Sequence, residues 1–221
     1  MKVAIVLFPG TNCEQDTKYA FELLGCQTQI IWHKESEINA DLIVLPGGFS
    51  YGDYLRTAAI AKFSPAMSAV VKHAQKGGYV LGICNGFQML CELKLLAGAM
   101  RRNENLSFIS KYHYLKVVSN ANKFLSNLSV GEIVNIPFAH GEGNFYADEA
   151  TLKGLYDNDQ VLLKYCDANG AELNPNGSVD AIAGICDKNK KIFGLMPHPE
   201  RACEKFLGTD DGLKMLKGLV C

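Results

Sequence analysis

GYVLGICNGFQ, residues 78–88, is the stretch of sequence that decides the fold. It opens with a short apolar run typical of a buried parallel strand. It continues into NGFQMLCELKLL, where apolar residues recur three and four positions apart, as they do in a helix. Gly82 and Gly86 stand two residues to either side of Cys84. A strand, a tight turn and a helix with small residues around the turn predict a nucleophile elbow with Cys84 at its tip.

Three further apolar runs precede this stretch, and helical patterns separate them. The runs are VAIVLF (3–8), QTQIIW (27–32) and DLIVLP (41–46), and the helical patterns are CEQDTKYAFELLG (13–25), LRTAAIAKF (55–63) and SPAMSAVVKHAQKGG (64–78). This alternation predicts an α/β fold with an open, largely parallel, doubly wound sheet and helices on both faces. Functional loops are expected at the carboxyl ends of the strands.

The second half of the chain predicts an antiparallel extension of the sheet. Its strand patterns are NLSFISKYHYLKVV (105–118), GEIVNIPFAH (131–140), QVLLKYC (160–166), VDAIAGIC (179–186) and KIFGLMPH (191–198). Turn-forming stretches such as LNPNGS and DKNKK join them. A closing helix is expected near 210–219. Because no repeat or linker interrupts the pattern, we predict a single domain over 1–221.

Charge and cysteine content exclude several classes of function. The 22 basic and 23 acidic residues give a net charge of −1 and are mixed along the chain, which makes nucleic acid or an anionic membrane an unexpected partner. The eight cysteines are scattered, with no CxxC pair. Such spacing favours reduced, mostly buried thiols in a cytoplasmic protein over a disulfide scaffold or a metal site.

Two other segments compete with Cys84 for the nucleophile. PGGFSYGDYLR (46–56) contains Gly48-x-Ser50-x-Gly52, which has the same spacing as GICNG. Its proline and paired glycines end the preceding strand several residues before Ser50, so this serine is expected in a loop. Cys13, in PGTNCEQD, also follows a strand and opens a helix, but it has no flanking glycines. For Cys84 itself, the alternative is a buried structural thiol.

A cysteine nucleophile needs a base, and two histidines are each followed by a glutamate two positions later. His198 and Glu200 occur in MPHPER, where the two prolines flanking the histidine restrict the backbone. His140 and Glu142 occur in AHGEGNF, where glycines predict a more flexible loop suited to substrate enclosure or a partner contact. Residues i and i+2 of an extended chain point the same way, so each glutamate is expected near its histidine. The alternative in both cases is a packed strand-end histidine.

GICNGFQ followed by PHPE resembles the class I, triad-type glutamine amidotransferases, which carry a Cys–His–Glu triad on an α/β core. Three further motifs match one branch of that family, the glutaminase subunits that work with a separate synthetase: FPGTNCEQD (8–16), GGFSYGDYLR (47–56) and AHGEGNF (139–145). The motifs span nearly the whole chain.

The resemblance implies a role for each matching residue. Cys84 is implied as the nucleophile, His198 as the base and acid, and Glu200 as the group that orients His198. The oxyanion hole is implied at the backbone N–H groups of Gly48, with Phe49 as the alternative donor, and of Asn85.

The same resemblance places Gln88 in the glutamine pocket. Phe49 and His140 are further candidates for substrate binding.

Neither common phosphate-binding fingerprint, GxxxxGK[ST] or GxGxxG, is present in the sequence. The resemblance implies that L-glutamine is hydrolysed here and that the ammonia is delivered to a large ATP-dependent synthetase subunit. That subunit converts formylglycinamide ribonucleotide to formylglycinamidine ribonucleotide in de novo purine biosynthesis, with a small accessory subunit. ATP and Mg²⁺ are expected on the synthetase, and no cofactor in this chain. We also hypothesise that the isolated glutaminase is weak until it docks.

Two other functions remain open from the sequence. One is a different enzyme on the same core, a cysteine peptidase or a γ-glutamyl hydrolase; Glu200, two residues after His198, disfavours the peptidase. The other is a non-enzymatic binding module with a vestigial site. The presence of Cys84, His198 and Glu200 together disfavours the module.

Overall fold

The structure, a computed structural model, describes residues 1–220. Its strands are β1 (Lys2–Leu7), β2 (Gln27–Trp32), β3 (Leu42–Leu45), β4 (Tyr79–Ile83), β5 (Ala99–Arg101), β6 (Ile109–Val117), β7 (Ile133–His140), β8 (Asn144–Tyr146), β9 (Val161–Cys166), β10 (Ile182–Cys186) and β11 (Ile192–Leu195). Its α-helices are α1 (Glu14–Leu23), α2 (Pro65–Gln75), α3 (Asn85–Glu92), α4 (Glu149–Asp157) and α5 (Asp211–Val220).

Nine of the strands form one mixed sheet in the order β2-β1-β3-β4-β11-β10-β9-β6-β7. β2, β1, β3 and β4 run parallel, and β10, β9, β6 and β7 form the antiparallel extension. The α/β fold class, with a doubly wound parallel region and an antiparallel extension, is therefore confirmed.

β11 joins the two halves of the sheet. It pairs antiparallel with β10, but it runs parallel to β4 with Leu195 opposite Ile83. The prediction of a purely antiparallel strand here is therefore wrong on the β4 side. The carboxyl ends of neighbouring parallel strands lie at the same edge of a sheet, so β11 brings the PHPE segment to the edge where Cys84 follows β4.

The helices cover both faces of the parallel region. The β1–α1–β2 and β3–α2–β4 crossovers step in opposite directions along the sheet, so the right-handed rule for such crossovers puts α1 and α2 on opposite faces. α5, the predicted closing helix, packs beside α1, and α3 packs against β3, β4 and β11. The buried apolar side chains of both halves of the chain belong to one cluster.

Three local elements differ from the sequence predictions. The helix predicted over 55–63 is wrong, because Leu55 and Ala58 adopt positive φ angles of 69° and 63° and only a short 3-10 turn forms at Ala61–Phe63. α4 was not predicted; Asp148 caps it, accepting a hydrogen bond from the Thr151 N–H at 2.8 Å. The small sheet of β5 and β8 was also not predicted.

Within residues 1–220, no helix has the length and apolar character needed to cross a lipid bilayer.

Candidate active site

Cys84 lies at the tip of a sharp turn between β4 and α3. Its φ and ψ angles are 51° and −105°, a strained backbone conformation for a residue with a side chain. Its N–H donates to the carbonyl of Leu195 on β11 at 2.8 Å, which holds the turn against the sheet. A Cβ atom at Gly86 would lie 1.9 Å from the Leu45 carbonyl oxygen, and one at Gly82 would lie 2.7 Å from the Gly86 carbonyl oxygen. Both glycines are thus required for close packing around the elbow.

His198 and Glu200 form a buried hydrogen-bonded pair. The His198 Nδ1 atom lies 2.7 Å from Glu200 Oε1, and both side chains are almost fully enclosed. The chain turns at once into a 3-10 turn, Pro199–Arg201, so the contact forms across a turn rather than along an extended segment. The predicted pairing of this histidine with its glutamate is nevertheless present.

The surroundings of His198 favour its protonated form. Burial by itself lowers the pKa of this imidazole, but the Glu200 carboxylate and then the Cys84 sulfur outweigh it, so the pKa lies well above its ordinary value. Nε2 has no hydrogen-bond partner among residues 1–220, although the Cys84 thiol is close enough to contribute to this shift. The imidazole is held by Glu200 at Nδ1 and is free at Nε2 to exchange a proton.

Cys13 also lies beside this pair. Its Sγ, a His198 nitrogen and a Glu200 oxygen lie within 4.8 Å of one another, and no other three His, Cys or acidic side chains in the described part of the chain come so close together. Burial raises the pKa of the Cys13 thiol, and Arg201 Nη2 approaches its Sγ to 3.0 Å. The positive charge of the Arg201 guanidinium disfavours the binding of a metal cation at this cluster. Cys13 itself has an unstrained φ of −109°.

The Gly47-Gly48 turn passes against the histidine. A Cβ atom at Gly47 would lie 2.6 Å from His198 Cε1, so a larger residue would displace the imidazole. The Phe49 N–H donates to the Gly10 carbonyl at 2.9 Å and is therefore engaged, which removes it as the alternative oxyanion donor. The Gly48 N–H has no acceptor among residues 1–220.

Asn85 connects the elbow to the segment that carries Ser50. As the first residue of α3, its N–H has no intrahelical acceptor. Its side-chain Oδ1 accepts from the Ser50 N–H at 3.2 Å, and its Nδ2 donates to Gln88 Oε1 at 2.8 Å. Ser50 itself is buried and lies in a loop, followed by the positive φ angles of Tyr51 and Gly52. The serine is therefore not on an elbow.

Cys84 opens into a cavity of about 280 Å³, just below the usual range of about 300–1,000 Å³ for small-molecule sites. Four of the other residues predicted for oxyanion or substrate binding also line it: Gly48, Phe49, Gln88 and His140. The Gln88 Nε2 donates to the Glu142 carbonyl at 2.8 Å, and Asn85 engages its Oε1. Both ends of the Gln88 amide are therefore bound within the protein.

His140 does not pair with Glu142 as predicted, because the chain turns after β7. Its Nδ1 lies 3.1 Å from Asn103 Oδ1, and Asn103 Nδ2 donates to the His140 carbonyl, so Oδ1 is the acceptor and Nδ1 carries the proton. Burial and the charge of His198 lower the pKa of His140 to about 4. Asn103 also accepts from the Gly143 N–H. Asn103 thus holds the segment at His140 and at Gly143, and the flexibility of the AHGEG loop stays a prediction.

Known proteins match the chain along its whole length. The family model described as a CobB/CobQ-like glutamine amidotransferase domain matches residues 1–209. Phosphoribosylformylglycinamidine synthase subunit PurQ of Campylobacter jejuni is 70% identical over 220 residues, covering 100% of this chain and 96% of the relative. The protein of the same name from Sulfurimonas denitrificans is 62% identical, covering 100% and 99%.

Solved structures agree with these matches. A chain of the PurLQS structure from Thermotoga maritima superposes with a TM-score of 0.90 at 37% identity, covering 99% of this chain and 97% of that one. A glutamine amidotransferase from Thermotoga maritima superposes with a TM-score of 0.63 at 17% identity, covering 100% of this chain and 96% of that one, which shows the shared fold alone. These matches confirm the resemblance carried by the five sequence motifs.

Proposed function

This chain belongs to the CobB/CobQ-like glutamine amidotransferase family, and on that premise we propose that it is the glutaminase subunit of a phosphoribosylformylglycinamidine synthase. The observation that carries the proposal is the strained Cys84 elbow. Cys84 opens into one small cavity and lines a second one together with His198, which is paired with Glu200. A thiol, an imidazole that takes the thiol proton and passes it to the leaving group, and a carboxylate that orients the imidazole are the groups that acyl transfer from an amide requires.

The chemistry follows from these positions. Cys84 gives its thiol proton to His198 Nε2, and the resulting thiolate attacks the carboxamide carbon of L-glutamine, while the N–H groups of Gly48 and Asn85 stabilise the developing oxyanion. His198 Nε2 gives its proton to the departing nitrogen, so ammonia leaves and a γ-glutamyl thioester remains on Cys84. His198 then takes a proton from water as it attacks the thioester, and glutamate is released. Glu200 holds the imidazole in the required orientation throughout.

The ammonia is used by partners rather than by this chain. At neutral pH free ammonia is mostly ammonium, which is a poor nucleophile, so a protected transfer to a docked synthetase is needed. The partners are a large synthetase subunit, where ATP and Mg²⁺ act on formylglycinamide ribonucleotide, and a small accessory subunit. Relatives are named as subunits of such a synthase, and one matched structure is of PurLQS. The complex works in the cytoplasm, in de novo purine biosynthesis, and this chain needs no cofactor of its own.

Docking raises the activity of the glutaminase. The support for this step is the mouth of the cavity, where Phe49, Leu106 and Phe108 line the wall while exposing much of their apolar surface. Apolar side chains around an active-site entrance lose this exposure when a partner covers them.

Reconstitution tests the proposal. The chain is mixed with the synthetase and accessory subunits of the same organism, formylglycinamide ribonucleotide, ATP and Mg²⁺, and product formation is followed with glutamine or with ammonium chloride as the nitrogen source. We expect product from both sources in the wild type, and from ammonium chloride alone with Cys84→Ala. Failure of the wild-type complex to use glutamine while it uses ammonium chloride would contradict the proposal.

A further inference from the structure

Two carboxylates line the same wall of the cavity. Asp53 comes from the loop after β3, and Glu142 follows β7. Burial and the nearby charge of Glu142 raise the pKa of Asp53 to about 6. The two carboxylate charges repel each other, and a cation bound between them would relieve the repulsion.

The hydrogen bonds of the pair leave a place for such a cation. Glu142 Oε2 accepts from the Thr57 hydroxyl at 2.6 Å, whereas the Asp53 Oδ1 atom is buried with no partner among residues 1–220. Asp53 is also held at a positive φ of 53°, a conformation that costs free energy for a non-glycine residue. His140, which is only 3% exposed, contributes a second unpartnered acceptor, Nε2, to the surroundings of the cavity. Two buried acceptors among the residues that line the cavity, Asp53 Oδ1 and His140 Nε2, thus have no donor within residues 1–220.

A positive side chain stands next to the carboxylates. Arg102 lines the cavity, and its Nε lies 3.7 Å from Glu142 Oε1. Its side chain is 77% exposed, so its remaining N–H donors are open to a ligand. Two carboxylates beside one guanidinium match the two charges of an α-amino acid, an ammonium and a carboxylate.

We propose that Asp53 and Glu142 bind the α-ammonium group of glutamine and that Arg102 binds its α-carboxylate. This inference rests on the proposed function, because it places the substrate's head group at one wall of the cavity and its carboxamide at Cys84. It assigns Asp53, Glu142 and Arg102 to substrate selection: an amide without the α-amino group would lose the contact with the two carboxylates.

Two electrophiles separate head-group binding from the reactivity of Cys84. The diazoketone analogue of L-glutamine carries the amino acid head group, whereas iodoacetamide does not. The rate at which each alkylates Cys84 in the full chain is followed by peptide mass mapping. Asp53→Asn is the first variant, because asparagine tolerates the same positive φ. Glu142→Gln is the second, and Glu92→Gln is the control, since it removes a carboxylate paired with Arg56 outside the cavity.

We expect both cavity variants to slow the diazoketone by about tenfold or more, the effect of losing a charged hydrogen bond, while iodoacetamide reacts within about twofold of the wild-type rate. Glu92→Gln should match the wild type with both reagents. In the assembled complex, the same two variants should raise KM for glutamine and leave kcat nearly unchanged. Unchanged diazoketone rates would overturn the inference. So would an equal slowing of both reagents, since that would place the effect on the elbow.

The two proposals fail in different ways. If the wild-type complex uses ammonium chloride but not glutamine, the proposed function is wrong. If it uses glutamine and Asp53→Asn and Glu142→Gln leave KM and diazoketone labelling unchanged, only the head-group inference is wrong.

Discussion

Two segments have the same glycine spacing but different backbone structures: residues 48–52, GFSYG, form a loop, and residues 82–86, GICNG, form a strand–turn–helix elbow. Cys84 follows a five-residue strand directly and is followed directly by α3. Ser50 follows an isolated bridge between Thr11 and Gly48, and left-handed residues rather than an α-helix come after it. A glycine–x–nucleophile–x–glycine spacing therefore specifies an elbow only when a strand enters the turn and a helix leaves it.

The two segments nevertheless belong to one site. The Ser50 N–H binds the side chain of Asn85, Gly47 packs against His198, and Phe49 and Asp53 line the cavity that Cys84 opens into. The serine-containing segment therefore forms a wall of the site that the cysteine-containing segment centres on. In one segment glycines leave room for the strained turn at Cys84, and in the other Gly47 allows the backbone to approach His198.

The largest difference between the two segments is expected in catalysis. Cys84→Ala should lower glutamine-dependent kcat by roughly 10,000-fold or more, as removal of a nucleophile does in other triad enzymes. Ser50→Ala should stay within about threefold of the wild type, because the Ser50 hydroxyl is buried and makes no hydrogen bond within residues 1–220. Steady-state kinetics of the assembled complex measure both. Comparable losses in the two variants would show that Ser50 matters to catalysis as much as Cys84 does.

Glu200→Gln should produce the next largest effect, a fall in kcat of roughly 100- to 10,000-fold, the range seen when the orienting acid of a triad is neutralised. Because the Glu200 carboxylate raises the pKa of His198, its removal lowers that pKa. The protonated imidazole is then lost at lower pH, so the basic limb of the kcat/KM profile should move to lower pH. A basic limb that stays in place would show that Glu200 does not set the protonation of His198.

The second glycine of each motif gives a matched pair for stability. Gly86→Ala should destabilise the fold by more than about 3 kcal/mol, because the new methyl group would overlap the backbone oxygen of Leu45 in the core. Gly52→Ala should cost about 1–2 kcal/mol, since its φ of 66° is unfavourable but the space around it is open. Urea unfolding of both variants measures the difference. Equal losses would mean that the elbow is not more tightly packed than the loop.

Cys13→Ala is expected to have the smallest effect on turnover. Its Sγ contacts Asn12 and Arg201 and lies beside His198, so the variant removes packing around the base without removing a reacting group. We expect kcat to stay within about fivefold of the wild type and stability to fall by about 1 kcal/mol. A loss as large as that of Cys84→Ala would instead make Cys13 the nucleophile.

Much of the fold was predictable because buried parallel strands are continuous apolar runs. The runs that became β1, β3 and β4 contain residues that are almost all buried, and the elbow glycines mark where β4 gives way to α3. The failure at 55–63 has a physical reason: that stretch has helical composition, but its backbone turns through positive φ angles at Leu55 and Ala58, and Thr57 between them lines the cavity. Local amino-acid composition does not predict backbone angles that depend on packing against distant parts of the chain.

The residues of the site were also predictable only in part. His198 and Glu200 were predictable because they are close neighbours in sequence and because a proline stands on each side of His198. Asn103, which fixes the proton of His140, lies 37 residues away from it, and Asp53 and Glu142 come from separate loops. Contacts of this kind depend on how the strands are ordered in the sheet, and no local pattern marks them.

One measurement tests most directly whether Cys84 is the nucleophile. The assembled complex is quenched with acid during glutamine turnover, and the peptides are mapped by mass spectrometry for a γ-glutamyl adduct. We predict the adduct on the peptide that contains Cys84, and its disappearance in Cys84→Ala. An adduct on the peptide containing Ser50 or Cys13 would contradict the account.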